Sequence, residues 1–486
     1  MVSERIRQAA SILLHRDDDA RVYLVLRNPK LRFLGGYWAF PGGSVSKSDH
    51  GEGDLVEGDN SELAPFLGCA AREMLEEVGV DASVPPSADR EALRRESLKE
   101  SSRYYRTLRQ DGARIPGRRF SQVARLLTPP FYPVRFDTLF FRVEVEDQEA
   151  EIWPGELIEG RWEEAGRWLE LWRKGEVLLA PPIVLMLRLL DSHGWQGVQG
   201  ELDALSAGFA RGKIHPIFFN PAVQLLPLRT PTIPPATHTN AYLVGRNPAY
   251  LIDPASPHPE VQALLDEALD DAIEDGAQLR AILLTHHHPD HVGAVEHLRK
   301  ARQLEVWAHP TTAKLLKGSI AIDRTLEHGE RLPLGTTPAA KQGWELECHF
   351  TPGHAAGHLC FFEREYGSLI AGDMVSTLSS ILVHPDDGDM IQYMASLHRL
   401  MQLPVRTVFP AHGPASNRGV ELLAAQYAHR EERERAILDC VRRGTRDLSK
   451  LVAEVYDDIP AEMRDYAALS IRSILKKLVA EGEVSA

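Results

Sequence analysis

The chain has 486 residues, of which 43% are hydrophobic and 26% are charged, and its formal net charge is −14 at pH 7. This composition is close to the globular average and excludes a largely disordered chain, a collagen-like repeat and a membrane protein. The acidic charge excludes a chain-wide basic footprint for nucleic acid, so a polyanion-binding surface must be local or carry a bound metal. At about 150 residues per domain, the length predicts roughly three domains.

The cysteines and the apolar runs indicate the compartment. The four cysteines form no CxxC pair and no disulfide framework, so we expect buried thiols in a reducing compartment. The first apolar stretch is cut short by the charged residues 15–19, which excludes a signal-peptide core. The apolar run at 183–190 is far shorter than a membrane span. These features predict a cytoplasmic protein with no membrane partner.

The first region, residues 6–190, has a mixed pattern of strands and helices. It closes with an apolar helix-like run near Leu185. The charged stretch 81–115 is typical of a surface insertion or an exposed helix. A connector containing Gly, Pro and Asn follows, from about 194 to 221. The strand-like runs of this region lie at 9–14, 21–26 and 136–143.

The second region alternates strand-like and helical runs from about 240 to 429, which predicts a layered α/β architecture. The last stretch is helix-rich, and apolar residues at helical spacing precede Gly482, where we expect the final helix to stop. We therefore predict four segments. They are a first domain at 1–195, a linker at 196–212, a second domain at 213–428 and a C-terminal domain at 430–486.

A cluster of acids marks the first candidate site. On a helix over 72–80, Glu73, Glu76 and Glu77 share one face. Carboxylate oxygens at this spacing suit Mg²⁺ or Mn²⁺. The loop upstream contains Gly42 and Gly43, whose backbone can approach a ligand closely.

This stretch resembles the Nudix box, G-x5-E-x7-R-E-U-x-E-E-x-G-U, where U is aliphatic. The second half matches at every fixed position over 72–80, but the family's first Glu falls on Ala64. The family's Gly falls on Gly58, but the glycine loop itself lies about 15 residues too far upstream of the helix. We therefore expect an insertion between the loop and the helix, and we regard the match at Gly58 as a coincidence. The resemblance covers most of 6–190, and it favours the long-insert branch that includes peroxisomal coenzyme A diphosphatases.

The Nudix resemblance implies an N-terminal α/β/α sandwich that hydrolyses a diphosphate bridge. In it, Glu73, Glu76 and Glu77 would bind the metals that activate water, with Glu76 and Glu77 as catalytic residues. Arg72 would orient Glu76, and together with Gly42 and Gly43 it would form the cofactor-binding part of the site. The family has a further acid late in the domain, which the sequence does not assign. The candidates are Glu144, Glu146 and Glu156.

A second candidate site follows a buried-strand pattern at 282–285. The motif H-x-H-x-D-H comes directly after it, and ligands at this spacing wrap two adjacent Zn²⁺ ions at a strand-to-helix turn. Zinc lowers the pKa of bound water to about 7 and so supplies a hydroxide nucleophile. Further candidates follow other strand-like runs, namely Asp253, His354, Asp373 and His412.

These residues, over about 213–428, resemble the metallo-β-lactamase fold, an αββα sandwich with a dizinc centre. The resemblance implies two ligand sets. The first zinc takes His286, His288 and His354. The second zinc takes Asp290, His291 and His412. Asp373 would bridge the ions and Asp253 would support the site from outside, while Asp290 also has a catalytic role. A bridging Asp instead of Cys is similar to the branch with glyoxalase II, nucleases and lactamase-like proteins.

Other nearby residues are predicted not to bind metal. His287 points away from its neighbours if the segment is extended. His358 recurs in the family motif without being a ligand. The remaining residues in this class are His309, His328, Cys348 and Cys360.

The C-terminal helix carries Arg472, Lys476 and Lys477 on one exposed side, as the recognition helix of a winged-helix unit would. Residues 213–486 resemble the lactamase-β-like endoribonuclease family, whose members cut single-stranded RNA. The alternative is a small helical cap with a solvated basic face.

The leading hypothesis is a bifunctional metallohydrolase. Its Nudix half would cleave a nucleoside-diphosphate-linked compound such as coenzyme A or acyl-coenzyme A. Its dizinc half would hydrolyse an ester, a thioester or a phosphodiester, with single-stranded RNA and an acyl-coenzyme A as competing substrates. In the alternative, a non-catalytic nucleotide-binding Nudix module regulates the zinc enzyme. The oligomeric state stays open.

Overall fold

The computed structural model describes residues 6–16, 21–31, 33–58, 62–145 and 148–485. It divides into two compact units, Met1–Phe218 and Phe219–Ala486. The acids 17–19 and the candidate Glu146 lie outside the described residues.

The first unit contains both strands and helices. Its strands are β1 (Arg7–His15), β2 (Arg21–Arg27), β3 (Tyr37–Ala39), β4 (Gly42–Ser44), β5 (Val56–Glu57), β6 (Ile115–Pro116), β7 (Ser121–Leu127), β8 (Phe136–Glu144), β9 (Leu157–Glu164) and β10 (Leu178–Leu179). Its α-helices are α1 (Lys47–His50), α2 (Ala64–Val78), α3 (Arg90–Lys99), α4 (Ser102–Gln110), α5 (Ala165–Arg173) and α6 (Pro181–Arg211).

The main sheet of this unit has the order β10-β3-β2-β1-β8-β7, with β4 paired to β1 and β9 paired to β2. At its centre, β1 runs parallel to β8 and antiparallel to β2 and β4. Most of β1 is buried, as expected for a strand covered on both faces. The three strand-like runs predicted from the sequence are β1, β2 and β8.

Helix α2 packs on β1 and β4 and carries the acidic motif. Pro65 lies in its first turn, where its missing N–H costs no hydrogen bond. At the other end, Gly79 has a φ of 69° and its N–H bonds the carbonyls of Leu75 and Met74, which closes the helix. The glycine of the acidic motif is therefore a helix stop.

The charged stretch 81–115 differs from the prediction of a surface insertion or exposed helix. It forms α3 and α4, and their side chains Leu93, Tyr104, Tyr105 and Leu108 are part of the hydrophobic core of the first unit. The apolar residues form a narrow stripe at helical spacing among many Arg and Glu residues. That apolar stripe determines which side chains of the two helices are buried, although the average composition of the stretch is strongly polar.

The predicted linker, residues 196–212, is also helical. It is the second part of α6, which is broken at Gly194, where φ is 62° and ψ is 175°. The helix ends at Gly212 with a φ of 77°. Because a helix can connect two domains, the helical structure of 196–212 does not decide the domain boundaries, which stay a prediction.

The second unit holds two larger sheets. Its strands are β11 (Ile217–Asn220), β12 (Val223–Arg229), β13 (His238–Gly245), β14 (Ala249–Ile252), β15 (Leu279–Leu283), β16 (Glu305–Ala308), β17 (Arg324–Thr325), β18 (Arg331–Gly335), β19 (Trp344–Phe350), β20 (Leu359–Glu363), β21 (Ser368–Gly372) and β22 (Thr407–Pro410). Its helices are α7 (Pro259–Glu274), α8 (Pro289–Val292), α9 (Val295–Arg302), α10 (Pro310–Leu315), α11 (Met390–Leu400), α12 (Gly419–Arg442), α13 (Leu448–Val455) and α14 (Arg464–Ala480).

One sheet has the order β11 to β17 and the other has the order β18 to β22. The strands β14 to β17 are parallel, and so are β21 and β22. The two sheets are joined by hydrogen bonds from Asn240 Nδ2 and Tyr242 Oη to the carbonyl of Pro410, at 2.9 and 2.6 Å. This arrangement brings the end of β22 close to β13.

Helix α12 runs without interruption through the predicted boundary at 428–430. Its Ile437 shares a hydrophobic cluster with Leu397 of α11 and with Ile471 and Leu478 of α14. The C-terminal helices therefore complete a core that begins in the preceding domain. Among the residues with described structure, no helix is long and apolar enough to cross a membrane.

Candidate metal centres

The histidine motif lies where the chain leaves β15. The strand ends at Leu283, the chain bends at Thr285, and His288 precedes the first residue of α8. Asp290 and His291 are in the first turn of this short helix. The other candidate ligands, His354, Asp373 and His412, follow the ends of β19, β21 and β22. The ligand residues are thus brought together from four strand ends.

Two triads of ligand atoms converge at these ends. In the first triad, His288 Nδ1 lies 2.9 Å from His286 Nε2 and 3.0 Å from His354 Nε2. In the second triad, the ligand atoms of Asp290, His291 and His412 lie within 4.8 Å of one another. Three ligand atoms that converge in this way can all bind one metal ion.

The carboxylate of Asp373 lies between the two triads. Its Oδ2 is 3.3 Å from His354 Nε2, while its Oδ1 is 3.6 Å from His291 Nε2 and 3.4 Å from His412 Nε2. Each oxygen therefore faces a different triad, as a bridging ligand requires.

Two atoms of this cluster lack partners. Within the described part of the chain, His291 Nε2 and Asp373 Oδ1 are buried and make no hydrogen bond. A buried polar atom without a partner is costly, and its presence points to an ion or water that occupies the position. The donor set of imidazole nitrogens and carboxylate oxygens fits zinc or iron.

Asp253 holds His291 from the outside. Its carboxylate accepts hydrogen bonds from Thr285 N at 2.8 Å, Thr285 Oγ1 at 2.6 Å and His291 Nδ1 at 2.8 Å. This fixes the tautomer of His291 with Nε2 directed to the second triad. The φ of Asp253 is 51°, a strained value for a residue other than glycine, which the surrounding hydrogen bonds maintain.

The other four histidines are held in the same way. His354 Nδ1 donates to the carbonyl of Leu382 at 2.8 Å, and His412 Nδ1 donates to that of His238 at 3.1 Å. The remaining two outer contacts are His286 Nδ1 with Thr285 Oγ1 and His288 Nε2 with Asp387 Oδ2. Sequence reasoning missed Asp387, because it lies in an acidic loop, 384–389, that matches no motif.

The electrostatics of the cluster divide the histidines into two kinds. Burial and the neighbouring imidazoles hold the pKa of His286 well below its usual value, and burial lowers the pKa of His354 to about 4. These rings are neutral at pH 7 and offer lone pairs. Burial would also lower the pKa of His291, but the carboxylates of Asp373 and Asp253 outweigh it and raise the value to about 10. Without a cation, a proton on His291 is what balances the buried acids.

The histidines predicted not to bind metal have other contacts. His287 belongs to neither triad, and its Nε2 lies 3.6 Å from Asp387 Oδ1. His358 Nε2 accepts the backbone N–H of Asp373 at 3.1 Å, which positions that acid. His309 stacks on Phe350, with ring centroids 4.2 Å apart. His328 Nδ1 accepts the N–H of Phe350.

The cysteines take no part in the described contacts of either triad. All four are unpaired and buried. Burial raises the pKa of Cys348 and of Cys360 to about 12, so both are thiols at neutral pH.

The acidic motif forms a separate site on α2. The guanidinium of Arg72 is buried and contacts Asp49, Glu73 and Glu76 at 3.0, 2.9 and 2.8 Å. Arg72 and Glu76 therefore form the contact expected from their spacing. Because three carboxylates already surround it, Arg72 acts as an internal counter-ion.

One residue each from α1, α3 and α4 braces this site. Ser97 Oγ donates a hydrogen bond to Glu76 Oε1, and Tyr105 Oη donates to Asp49 Oδ1 at 2.6 Å. Asp49 is a functional candidate that the sequence did not single out. Its only sequence signal is Ser46 three residues earlier, which forms a helix-capping box with it.

The glycine loop meets the acidic helix. Gly42 N donates to Glu77 Oε2 at 2.8 Å, and a Cβ on Gly43 would lie only 2.3 Å from Glu73 Oε1. A side chain at Gly43 would therefore displace the Glu73 carboxylate from its present position. A Cβ on Gly58 would meet no atom of the described residues within 4 Å, so no close contact requires a glycine there.

Glu73 and Glu77 remain partly open to solvent, whereas Glu76 is 8% exposed. Burial raises the pKa of Glu73 to about 7, against the opposing effect of Arg72. Burial and the charge of Glu73 raise the pKa of Glu77 to about 8. Of the late acids, Glu156 contributes to this shift, while Glu144 is exposed at the end of β8. The pair lacks positive charge, which a divalent cation would supply.

The basic side of the last helix is partly used internally. Lys477 Nζ contacts Glu434 at 2.6 Å and Glu481 at 2.7 Å. Lys476 Nζ donates to the carbonyl of Pro385 at 3.0 Å, and Arg472 is exposed. Two of the three basic side chains are therefore engaged in contacts within the protein.

Comparisons with known proteins follow the same division of the chain. Residues 234–412 match the metallo-beta-lactamase superfamily, and residues 448–486 match the beta-lactamase associated winged helix domain. The second match confirms the predicted winged-helix unit. A NUDIX hydrolase structure from Alicyclobacillus acidocaldarius is similar over 39% of this chain and 92% of its own, with 27% identity and a TM-score of 0.36, and it identifies no domain here.

Two curated relatives cover about half of the chain. The lactamase-like protein nscB of Trichophyton rubrum is 30% identical over 49% of this chain and 74% of its own length. The atrochrysone carboxyl ACP thioesterase of Aspergillus fumigatus is 25% identical over 51% of this chain and 77% of its own. Taken with the two converging triads, these matches show that the chain belongs to the metallo-β-lactamase superfamily of hydrolases.

Proposed function

We propose that the second unit is a binuclear metallohydrolase that uses zinc. The first ion would be held by His286, His288 and His354. The second ion would be held by Asp290, His291 and His412. Asp373 would bridge the ions. The observation that carries this proposal is the position of Asp373, whose two oxygens face different triads and whose Oδ1 has no hydrogen-bond partner among the described residues.

A bound zinc pair supplies a hydroxide at neutral pH and a Lewis acid for a carbonyl or phosphoryl oxygen. The chain's own acids then differ in role. The side chain of Asp290 is 18% exposed and that of Asp373 is 10% exposed, so Asp290 is the acid closer to incoming substrate. We assign Asp290 the task of accepting a hydrogen bond from the attacking water and so orienting it.

For the substrate we propose an ester or thioester, such as an acyl-coenzyme A. A relative named as a thioesterase supports this choice. The internal use of Lys476 and Lys477 counts against a strong phosphate track, which an RNA substrate would need. Single-stranded RNA is the second candidate, because a winged-helix domain is present.

The test uses the full chain and two histidine variants. His288→Ala removes one candidate ligand, while the control His398→Ala removes an exposed histidine on α11. We expect two zinc ions per wild-type chain, and hydrolysis of an acyl-coenzyme A that falls at least a hundredfold in His288→Ala alone. Equal activity in His288→Ala and wild type would contradict the metal assignment. Cleavage of RNA without hydrolysis of the thioester would show that the substrate class is RNA and not an ester or thioester.

We also propose that the first unit is a Nudix diphosphatase that uses Mg²⁺ or Mn²⁺. The supporting observation is that Glu73 and Glu77 meet the glycine loop and stay partly exposed. Glu76 instead has both oxygens engaged, by Ser97 and Arg72, so we assign it to positioning Arg72. The substrate would be a nucleoside-diphosphate-linked compound, with coenzyme A as the first to be tried.

This half is tested in the His288→Ala background, which removes the zinc activity. Glu77→Gln is compared with Glu91→Gln, an exposed acid on α3. Mg²⁺-dependent cleavage of coenzyme A or a dinucleotide that is lost only in Glu77→Gln supports a diphosphatase. Nucleotide binding without turnover by the unmodified acidic site would instead identify a regulatory binding module.

A further inference from the structure

The contact of His288 with Asp387 differs from those of the other candidate ligands. The outer nitrogens of His286, His354 and His412 face a hydroxyl or backbone carbonyls, and His291 faces Asp253 at the end of β14. His288 is 26% exposed, the most of the group, and its Nε2 lies 2.7 Å from Asp387 Oδ2. Its orientation therefore depends on a carboxylate from a loop.

This loop is held close to the first triad. Asp389 N donates to the carbonyl of Gly353 at 2.7 Å, and Gly388 N donates to that of His384 at 2.8 Å. A Cβ on Gly388 would lie 2.6 Å from the oxygen of Gly353 and 3.0 Å from that of His354, so the glycine permits the close approach. The loop is thus packed against the backbone that presents His354.

The segment 381–389 contacts two of the three histidines in the first triad. The carbonyl of Leu382 accepts from His354 Nδ1, and the carboxylate of Asp387 faces His288. The C-terminal helices hold the same segment, because Lys476 donates to the carbonyl of Pro385 and Arg430 donates to that of Ile381. Asp387 is therefore placed by defined contacts on both sides.

The other oxygen of Asp387 faces His287. Its Oδ1 lies 3.6 Å from His287 Nε2, beyond hydrogen-bond distance, whereas its Oδ2 is within hydrogen-bond distance of His288. Asp387 is also the only acid within the segment's described contacts that reaches this histidine pair. The carboxylate of Asp387 is therefore a hydrogen-bond partner of His288 and not of His287.

We propose that Asp387 is a positioning residue for the first metal ion. By accepting the Nε2–H of His288, it selects the tautomer whose Nδ1 lone pair points at His286 and His354. A carboxylate in this position also strengthens the binding of metal by the imidazole. The inference rests on the proposed binuclear site. It adds the residue that determines how tightly the first ion is bound, whose ligand His288 is the most exposed histidine of the site.

The test compares Asp387→Ala and Asp387→Asn with Asp386→Ala, a neighbouring acid whose side chain has no described contact with the histidines of the first triad. Zinc affinity is measured by chelator competition on the full chain, and the Co²⁺-substituted protein gives an absorption spectrum of each site. We expect Asp387→Ala to bind one of two ions about 10–100-fold more weakly, with Asp387→Asn less affected because its amide oxygen still accepts a hydrogen bond. The thermal stability of the metal-free protein should be unchanged.

The outcomes separate this inference from the proposed function. Two tightly bound ions in both Asp387→Ala and Asp386→Ala, with identical Co²⁺ spectra, would overturn the role of Asp387 and leave the binuclear site standing. A wild-type chain that binds no zinc or cobalt would overturn the proposed function and the inference together. Weakened binding confined to one ion in Asp387→Ala would support both.

Discussion

The acidic site of the first unit and the histidine site of the second unit balance their charges differently. Around α2, three carboxylates share one buried arginine, Arg72, and the pKa values of Glu73 and Glu77 are still raised. Around Asp373, the pKa of His354 is lowered while that of His291 is raised, and two buried atoms have no hydrogen-bond partner in the described structure. The histidine site thus has buried atoms that an ion would satisfy, whereas the acidic site contains a permanent positive charge, the guanidinium of Arg72.

The two sites also differ in how they are assembled. The candidate ligands of the acidic site lie on one helix, and residues from α1, α3 and α4 brace them. The histidine ligands come from four strand ends, and each is fixed by its own outer contact. A single substitution should therefore perturb the stability of the first unit but the metal affinity of the second.

The largest effect is expected for Asp373→Asn. Loss of the bridging charge should remove at least one metal ion and lower hydrolysis by about three to four orders of magnitude, since metal activation of water contributes several kcal/mol. Metal analysis and turnover of a thioester measure this loss. Wild-type protein treated with a chelator is the control and should show the same defect. Retention of two ions with full activity would exclude the bridging role.

The next effect is expected for Arg72→Met in the first unit. This change leaves Asp49, Glu73 and Glu76 without their shared counter-ion, and breaking such a buried network costs about 3 kcal/mol. Amide hydrogen exchange measured separately in α2 and in β15 should show the loss in α2 alone. The control Arg103→Met removes a half-buried arginine that pairs with the more exposed acids Glu96 and Glu100, and it should change little. Equal exchange in both variants would show that Arg72 does not support the unit.

A smaller effect is expected for Asp253→Asn. The amide no longer offers a charged acceptor to His291 Nδ1, so affinity for the second ion should fall about 10–100-fold. Chelator competition measures the change. Asp266→Asn is the matched control, because Asp266 accepts from His297 at 2.6 Å at a site away from the triads. If both variants bind zinc as the wild type does, Asp253 has no part in holding the metal.

The smallest effect is expected for Tyr105→Phe. It removes the buried hydrogen bond to Asp49, which should lower the stability of the first unit by about 1.5 kcal/mol. Tyr104→Phe is the control, since the neighbouring hydroxyl is buried without a partner among the described residues, and its loss should cost nothing. Hydrogen exchange in α2 compares the two. A larger loss in Tyr104→Phe would reverse the interpretation of this site.

Local patterns predicted the elements of the fold well and their packing less well. The strands β1, β2, β8 and β15 and the helix α14 all lie where the sequence predicts them, because alternation and helical spacing are short-range signals. The stretch 81–115 was mistaken for surface because two tyrosines and two leucines are hidden among charged residues. The boundary at 428–430 falls inside α12, because a helix pattern does not show where its packing partners change.

The sequence by itself marked the acids of α2 and the H-x-H-x-D-H turn, since a helix face and a turn are defined by the spacing of neighbouring residues, while the remaining ligands were implied by the family resemblance. Only the tertiary structure decided which groups hold those ligands. Asp49 meets Arg72 across 23 residues, and Asp387 meets His288 across 99. Such contacts depend on how strands, helices and loops pack, and no local periodicity records them. The tertiary structure likewise turned Asp373 from one acid after a strand into the carboxylate between two histidine triads.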